Sequence, residues 1–176
     1  EAMIALELSG IIEIRSGSGI YVAKKKKIKT PEVVGYGIGP FENLEMRYIL
    51  EPEICALAAA RISNDQIALL QRIIEQMKNP KLSPESFEIL DSELHITIAK
   101  ACANSALIAS IQWLWDLRKE SVFSGFTLDE IKKQGPCITE HEKIVQAISL
   151  RNPEKARTAM KYHIDNATTT TNIEFS

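Results

Sequence analysis

The sequence predicts an all-α protein, an antiparallel helical bundle preceded by a short helix end and a β-hairpin. Three observations carry this reading. From residue 41 onward apolar residues recur every three or four positions, the repeat of a helix face turned toward a core. The breaks between those stretches carry helix-start chemistry. Ser63-Asn-Asp-Gln66 and Thr127-Leu-Asp-Glu130 read as capping boxes, while Ser83-Pro84 and Asn152-Pro153 set a capping side chain before a proline at the first helical position. Near the start, two short strand-like stretches, 11–15 and 20–23, flank Ser16-Gly-Ser-Gly19, whose glycines permit the positive φ of a tight turn.

Composition bounds the answer. A chain of 176 residues with 45% hydrophobic content can bury a real core, and its formal charge of -2 carries no global signal for nucleic acid or membrane. No run of about 18 apolar residues appears and the N-terminus lacks the pattern of a signal peptide, so the expected location is the cytoplasm, with no membrane partner. Cys55, Cys102 and Cys137 are odd in number and widely spaced, which argues against a disulfide framework or a cysteine zinc site and for small core residues.

In chain order, residues 1–8 have helical spacing and Gly10 is a plausible stop. The hairpin follows. The lysines at 24–27 and Lys29 then lead into Thr30-Pro31 and a glycine-bearing stretch ending at Pro40, a linker by composition; it reads as a solvated connector or as a patch for phosphate contacts. Residues 41–62 form the first bundle helix, with Leu44, Ile49, Ile54, Cys55 and Leu57 on its apolar positions and Pro52 able to kink it. The next helix ends near Asn79, and the one opened by Ser83 contains the stretch 87–99. Asn104 and Ser105 mark a break before 106–120, whose Leu107, Ile111, Leu114 and Trp115 form a bulky face. A short helix after Thr127 is expected to end at Gly135-Pro136. Residues 139–150 and 153–170 are the last two helices, followed by a frayed threonine-rich tail. This gives three regions: 1–23, a linker over 24–40, and a helical domain over 41–176.

The chemistry centres on Phe87-Glu-Ile-Leu-Asp-Ser-Glu-Leu-His-Ile-Thr-Ile-Ala99. Asp91 and His95, four residues apart, lie one above the other within the apolar stripe of Phe87, Leu90, Leu94 and Ile98. A carboxylate aimed into a core must find a compensating partner, because burying it alone costs several kcal/mol or more. His141 shares a stripe with Ile144, Val145 and Ile148, and His163 shares one with Ala156, Ala159 and Met160. The two histidines lie equally far in sequence from residue 152, the turn between their helices, so an antiparallel hairpin brings them level. Three imidazoles and a carboxylate suit a divalent metal such as zinc, nickel, manganese or iron; each histidine by itself equally suits a hydrogen-bonded core position.

Two stretches carry a family resemblance. Glu1-Ala-Met-Ile-Ala-Leu-Glu-Leu-Ser-Gly-Ile-Ile-Glu-Ile-Arg-Ser-Gly-Ser-Gly-Ile-Tyr-Val resembles the end of the recognition helix and the wing in the winged helix-turn-helix of GntR-family transcription regulators. The family's earlier helices are absent from it, so residues 1–23 correspond to a truncated remnant of that domain, with Arg15, Gly17 and Gly19 on the DNA-contacting wing. The region from about 41 to 170 is similar to the helical effector domain of the FadR-like branch, the FCD domain. Its metal-binding members have an inward Asp and His four apart, a His opening the penultimate helix and a His in the last, where Asp91, His95, His141 and His163 stand. The family's Arg-x-x-x-Glu is matched by Arg47-Tyr-Ile-Leu-Glu51.

The resemblance implies a homodimeric DNA-binding regulator, not an enzyme. Its metal, zinc or nickel foremost with manganese or iron as alternatives, holds a small carboxylate effector with help from Arg47. It further implies that operator DNA is bound only by a protein with the complete winged-helix unit. Arg47 also admits a plain ion pair with Glu51 one turn on, and Arg118 reads as a surface residue with a weaker claim to the effector. The competing class is a mononuclear metal enzyme acting on a small carboxylate. It lacks a clear acid or base, since Glu93 and Glu142 lie about 100° or more around their helices from the candidate ligands.

Overall fold

The computed structural model describes Met3 and residues 12–15, 19–22, 38–120 and 134–175. The chain divides into two compact units, Glu1–Gly37 and Ile38–Ser176. In the first, β1 (Ile12–Arg15) and β2 (Gly19–Val22) pair antiparallel, with Ile12 opposite Val22 and Arg15 opposite Gly19. Gly19 has φ +119°, a conformation that side chains with a Cβ rarely adopt, so this strand start requires glycine. Apart from Met3, which is helical, the helix expected over residues 1–8 lies outside the described residues, as do the turn with Gly17, the lysine run and the capping box at Thr127.

The second unit contains six helices among the described residues: α1 (Pro40–Arg61), α2 (Asn64–Met77), α3 (Pro84–Ala101), α4 (Ser105–Glu120), α5 (Gln134–Ser149) and α6 (Pro153–Phe175). Their starts follow the local chemistry. Ser63 Oγ accepts from the Gln66 backbone N–H while the Gln66 side chain accepts from the Ser63 N–H, a complete capping box. Ser83 caps α3 ahead of Pro84, and Asn152 Oδ1 accepts from the Lys155 N–H at the head of α6.

Three boundaries differ from the sequence reading. Pro40 is not the end of a linker but the first residue of α1, where the Glu42 carboxylate reaches back to the Gly39 N–H at 2.7 Å. Gly135-Pro136 lie inside the first turn of α5 and do not terminate a helix. The N–H groups of a first turn have no acceptor within the helix, so proline is tolerated there. Finally, α6 runs to Phe175, through the threonines expected to fray. Threonine lowers helix propensity by only about 0.5 kcal/mol per residue, too little to stop an established helix.

The core forms where α1 runs along α6, α5 folds back on α6, and α3 packs against α1, α2 and α4. Small residues, Ala58 and Ala59 on α1 and Ala156 on α6, are fully buried and let the backbones approach closely. Ile54, Leu70, Ile73, Leu94, Ile98, Leu114, Trp115, Ile144, Ile148 and Ile164 fill the space between the helices. Ile49, expected on the apolar face of α1, is 63% exposed. The inward stripe of that helix runs instead through Asn43, Arg47, Glu51, Cys55, Ala58 and Ile62, all buried and spaced by three or four residues.

The α5–α6 turn sets the height at which the two helices face each other. Asn152 N–H bonds to Ala147 O and Arg151 N–H to Ile148 O, a Schellman-type closure with Arg151 at φ +51° where glycine is usual. Arg151 is held there because its guanidinium donates to Ile62 O at 2.6 Å, tying the turn to the end of α1. Cys55 and Cys102 are buried free thiols, as core residues should be, and Cys137 is only partly buried. Among the described residues no helix is long and apolar enough to cross a membrane.

Candidate metal centre

Asp91 and His95 on α3, His141 on α5 and His163 on α6 converge in the bundle, all four buried, with one ligating atom from each within 4.8 Å of the others. His141 Nε2 lies 3.2 Å from His163 Nε2 and 3.2 Å from Asp91 Oδ1, and His95 Nε2 lies 3.6 Å from the same oxygen. The three Nε2 atoms and Asp91 Oδ1 therefore share one small volume. Among the described residues His95 Nε2 is buried with no hydrogen-bond partner and Asp91 Oδ1 has only its 3.2 Å contact with His141 Nε2, so acceptor capacity is left in the interior for something else to satisfy.

Carboxylates stand behind two of the rings. Glu51 on α1 meets His95 Nδ1 with one oxygen and accepts from Arg47 Nε at 2.6 Å with the other. On the opposite side Glu140 accepts from His163 Nδ1 at 2.8 Å and from Asn166 Nδ2 at 2.6 Å. His141 has a weaker neighbour, Cys137 Sγ at 3.9 Å from its Nδ1. A proton on Nδ1 of His95 and of His163, donated outward to a carboxylate, leaves the Nε2 lone pair of each ring directed into the cluster.

Electrostatics follow from these partners. Burial opposes charge on Glu51, but Arg47 and His95 outweigh it and bring its pKa to about 2. Burial likewise opposes ionised Asp91, and the hydrogen bond and charge of His141 hold its carboxyl well below the usual range. His141 is disfavoured as a cation by burial, yet chiefly the Asp91 hydrogen bond raises it to about 10. Burial and the neighbouring His141 lower His163 to about 4. Ionised Asp91 is thus balanced by the His141 imidazolium, with His163 neutral.

Trp115 forms one wall. Its ring centroid is 4.9 Å from that of His95, Arg47 Cζ lies 4.2 Å from it and Arg118 Cζ 4.9 Å. Arg118 is not the surface residue the sequence suggested: its side chain is two-thirds buried, 3.5 Å from Asp91 Oδ2 and 3.6 Å from Glu88. Arg47 forms the ion pair with Glu51 that was weighed for it, and its buried guanidinium lies at the cluster's edge. Its Nε is committed to Glu51 and its guanidinium carbon lies over the Trp115 ring. The excluded acids stand apart, since Glu93 is exposed and Glu142 pairs with Lys78 at 2.8 Å. Arg15 and Gly19 lie in the hairpin, at paired positions of β1 and β2, and Gly17 lies outside the described residues.

Sequence reasoning missed Glu51 and Glu140 as neighbours of the histidines. The signals were present: Glu51 is in line with Cys55 and Ala58 on the buried stripe of α1. Glu140 precedes His141 and is within one residue of level with His163 across the turn.

Comparison with known proteins bears on this arrangement. Residues 42–166 match the model of the FCD domain. The chain is 29% identical over 175 residues to the "Uxu operon regulator" of Haemophilus influenzae and 30% identical over 174 residues to the "Exu regulon transcriptional regulator" of Escherichia coli K12; it is covered to 94% in each case and spans 64% and 66% of those relatives. The chain therefore spans less than two thirds of the length of these relatives. A solved structure described as Streptococcus agalactiae GntR superposes with a TM-score of 0.65 at 26% identity, covering 96% of this chain and 78% of that one. These relatives are named as regulators and not as enzymes. A helical bundle of this topology, matched over residues 42–166, shows that the chain belongs to the FCD domain family of GntR-type proteins.

Proposed function

We propose that this chain is the sensing part of a transcription regulator in which Asp91, His95, His141 and His163 hold one divalent metal ion beside a small organic acid. The observation that carries the reading is the convergence of four buried ligating atoms, of which His95 Nε2 has no hydrogen-bond partner among the described residues and Asp91 Oδ1 has only its 3.2 Å contact with His141. The donor set fits. Ligands on bonds of ~2.0–2.2 Å lie no more than about 4.4 Å apart, so a cluster spanning 4.8 Å needs only a small inward adjustment. Nitrogen and oxygen donors of this kind suit zinc or nickel, and manganese or iron as well. Such an ion supplies an acceptor site for a carboxylate oxygen and a positive charge that offsets Asp91.

The chain's own groups supply the rest of the effector site. Arg47, bonded to Glu51 through Nε, offers its planar guanidinium next to the cluster as a donor suited to a carboxylate. The buried Trp115 Nε1–H lacks an acceptor among the described residues, and a bound acid would provide one. Ligand binding would bias one arrangement of the bundle in a homodimer. That in turn would change the spacing of two DNA-contacting hairpins, in which Arg15, Gly17 and Gly19 are the contacting residues, on a two-fold operator.

Elemental analysis of protein purified without chelator, followed by zinc and nickel titration, tests the metal. The expected result is one tightly held ion per chain, and no ion either retained or taken up would overturn the reading. A thermal-shift screen of dicarboxylates, hydroxy acids and sugar acids tests the effector, because a ligand that prefers the native state must raise its stability. Operator binding is tested at low salt with the chain joined to a complete winged-helix unit; the absence of any sequence-specific complex would remove the regulator assignment.

A further inference from the structure

We infer that Glu51 and Glu140 are positioning residues for the metal site, each fixing the tautomer and ring angle of one ligand histidine from the side opposite the cluster. The inference rests on the metal reading and extends it to two residues that touch no ion.

The two carboxylates are built alike. Glu51 bridges His95 Nδ1 and Arg47 Nε; Glu140 bridges His163 Nδ1 and Asn166 Nδ2. In both cases one oxygen accepts from the imidazole and the other from an N–H donor, Arg47 on the carboxylate's own helix in the first and Asn166 on the histidine's helix in the second. The carboxylate is thereby held in place and cannot swing away from the ring. A neutral imidazole has one N–H, and a carboxylate accepts but does not donate when ionised. Placing the carboxylates at Nδ1 therefore assigns the proton to Nδ1 and the lone pair to Nε2 in both rings. Glu51 lies on α1 and Glu140 on α5, so helices that do not carry His95 or His163 set the orientation of those ligands.

Glutamine breaks this arrangement without changing its size. It has one acceptor oxygen where glutamate has two, so the two donors that now meet separate oxygens lose one of their acceptors and face an NH2 group in its place. Glu140 is the cleaner test, being only partly buried, whereas Glu51→Gln also weakens the hold on Arg47.

The experiment measures zinc affinity of the metal-free 176-residue chain by competition with a chelator, for the wild type, Glu140→Gln, Glu140→Asp and Glu51→Gln. Long-range proton–nitrogen NMR of the histidine rings in the same zinc-free samples is the second readout. Loss of an orienting carboxylate is expected to weaken zinc binding about 10–100-fold. Glu140→Asp should recover part of the loss, and Glu140→Gln should convert part of His163 from the Nδ1–H to the Nε2–H tautomer while the helical circular dichroism stays unchanged. Equal zinc affinity in wild type and Glu140→Gln, or an unaltered His163 tautomer, would overturn the inference while leaving the metal site intact. No zinc binding by the wild type would remove the metal reading and this inference with it.

Discussion

His141 Nε2 and His163 Nε2 face each other at 3.2 Å across the α5–α6 hairpin, with Asp91 Oδ1 3.2 Å from the first of them. Two ring nitrogens at that separation are compatible only if a proton or a cation lies between their lone pairs. The consequences of that relationship can be measured.

Removing one of the two rings should abolish tight metal binding without unfolding the bundle. His163→Ala is expected to bind zinc at least 100-fold more weakly in a chelator competition while retaining the helical circular dichroism signal. In the wild type, zinc at about 1,000 times its dissociation constant contributes ~4 kcal/mol of stability. For a chain of this size that is a rise in melting temperature of roughly 10 °C, reversed by chelator.

The pH dependence of stability should differ with and without metal. His141 has a folded pKa of about 10 against an ordinary 6.5, so its contribution is fully present below 6.5 and is lost as pH rises toward 10. His163 has a folded pKa of about 4, so its contribution is present above 6.5 and is lost as pH falls toward 4. The metal-free protein should therefore be most stable near pH 6.5. With zinc bound, protons compete for the ligand nitrogens and stability should continue to rise above that pH. Thermal melts from pH 5 to 9, with and without chelator, test the contrast.

Glu51 extends this behaviour to acid. Its folded pKa of about 2 lies below the ordinary 4.5, so its stabilisation is complete above 4.5 and disappears as pH falls toward 2. Acid unfolding followed by circular dichroism should be less steep for Glu51→Gln over that window, and the variant should be less stable than the wild type at neutral pH.

Arg47→Lys keeps the positive charge next to Glu51 but loses the planar fork. The variant should retain its metal and lose the thermal shift produced by carboxylic acids. If those shifts persist unchanged, Arg47 does not grip the effector.

Two turns carry a non-glycine residue at positive φ, Ala103 at 52° and Arg151 at 51°. A left-handed conformation costs an L-residue about 1 kcal/mol. Ala103→Gly should accordingly stabilise the protein by up to ~1 kcal/mol in denaturant unfolding. Arg151→Gly relieves the same strain but removes the 2.6 Å bond to Ile62 O, and should be neutral or destabilising.

Much of the architecture was legible in the order of residues. The 3.6-residue repeat, the capping boxes and the Ser-Pro and Asn-Pro starts act within one or two turns of chain, so they mark helices without reference to anything distant. The equal spacing of His141 and His163 about residue 152 required only that two helices fold back on each other, and the inward Asp91 and His95 followed from the apolar stripe around them. Gly135-Pro136 was misread because a proline alone does not say whether a helix is ending or beginning.

Only the tertiary structure decided what lies behind and around those four residues. Whether α3 meets the α5–α6 hairpin at the right height depends on how α1 packs against α3 and α6, a relation between residues far apart in sequence. That packing turns Arg118 toward Asp91, sets Glu51 behind His95 and makes Trp115 a wall of the site. Local periodicity states which way a side chain points; burial energy summed over the whole bundle decides what it meets there.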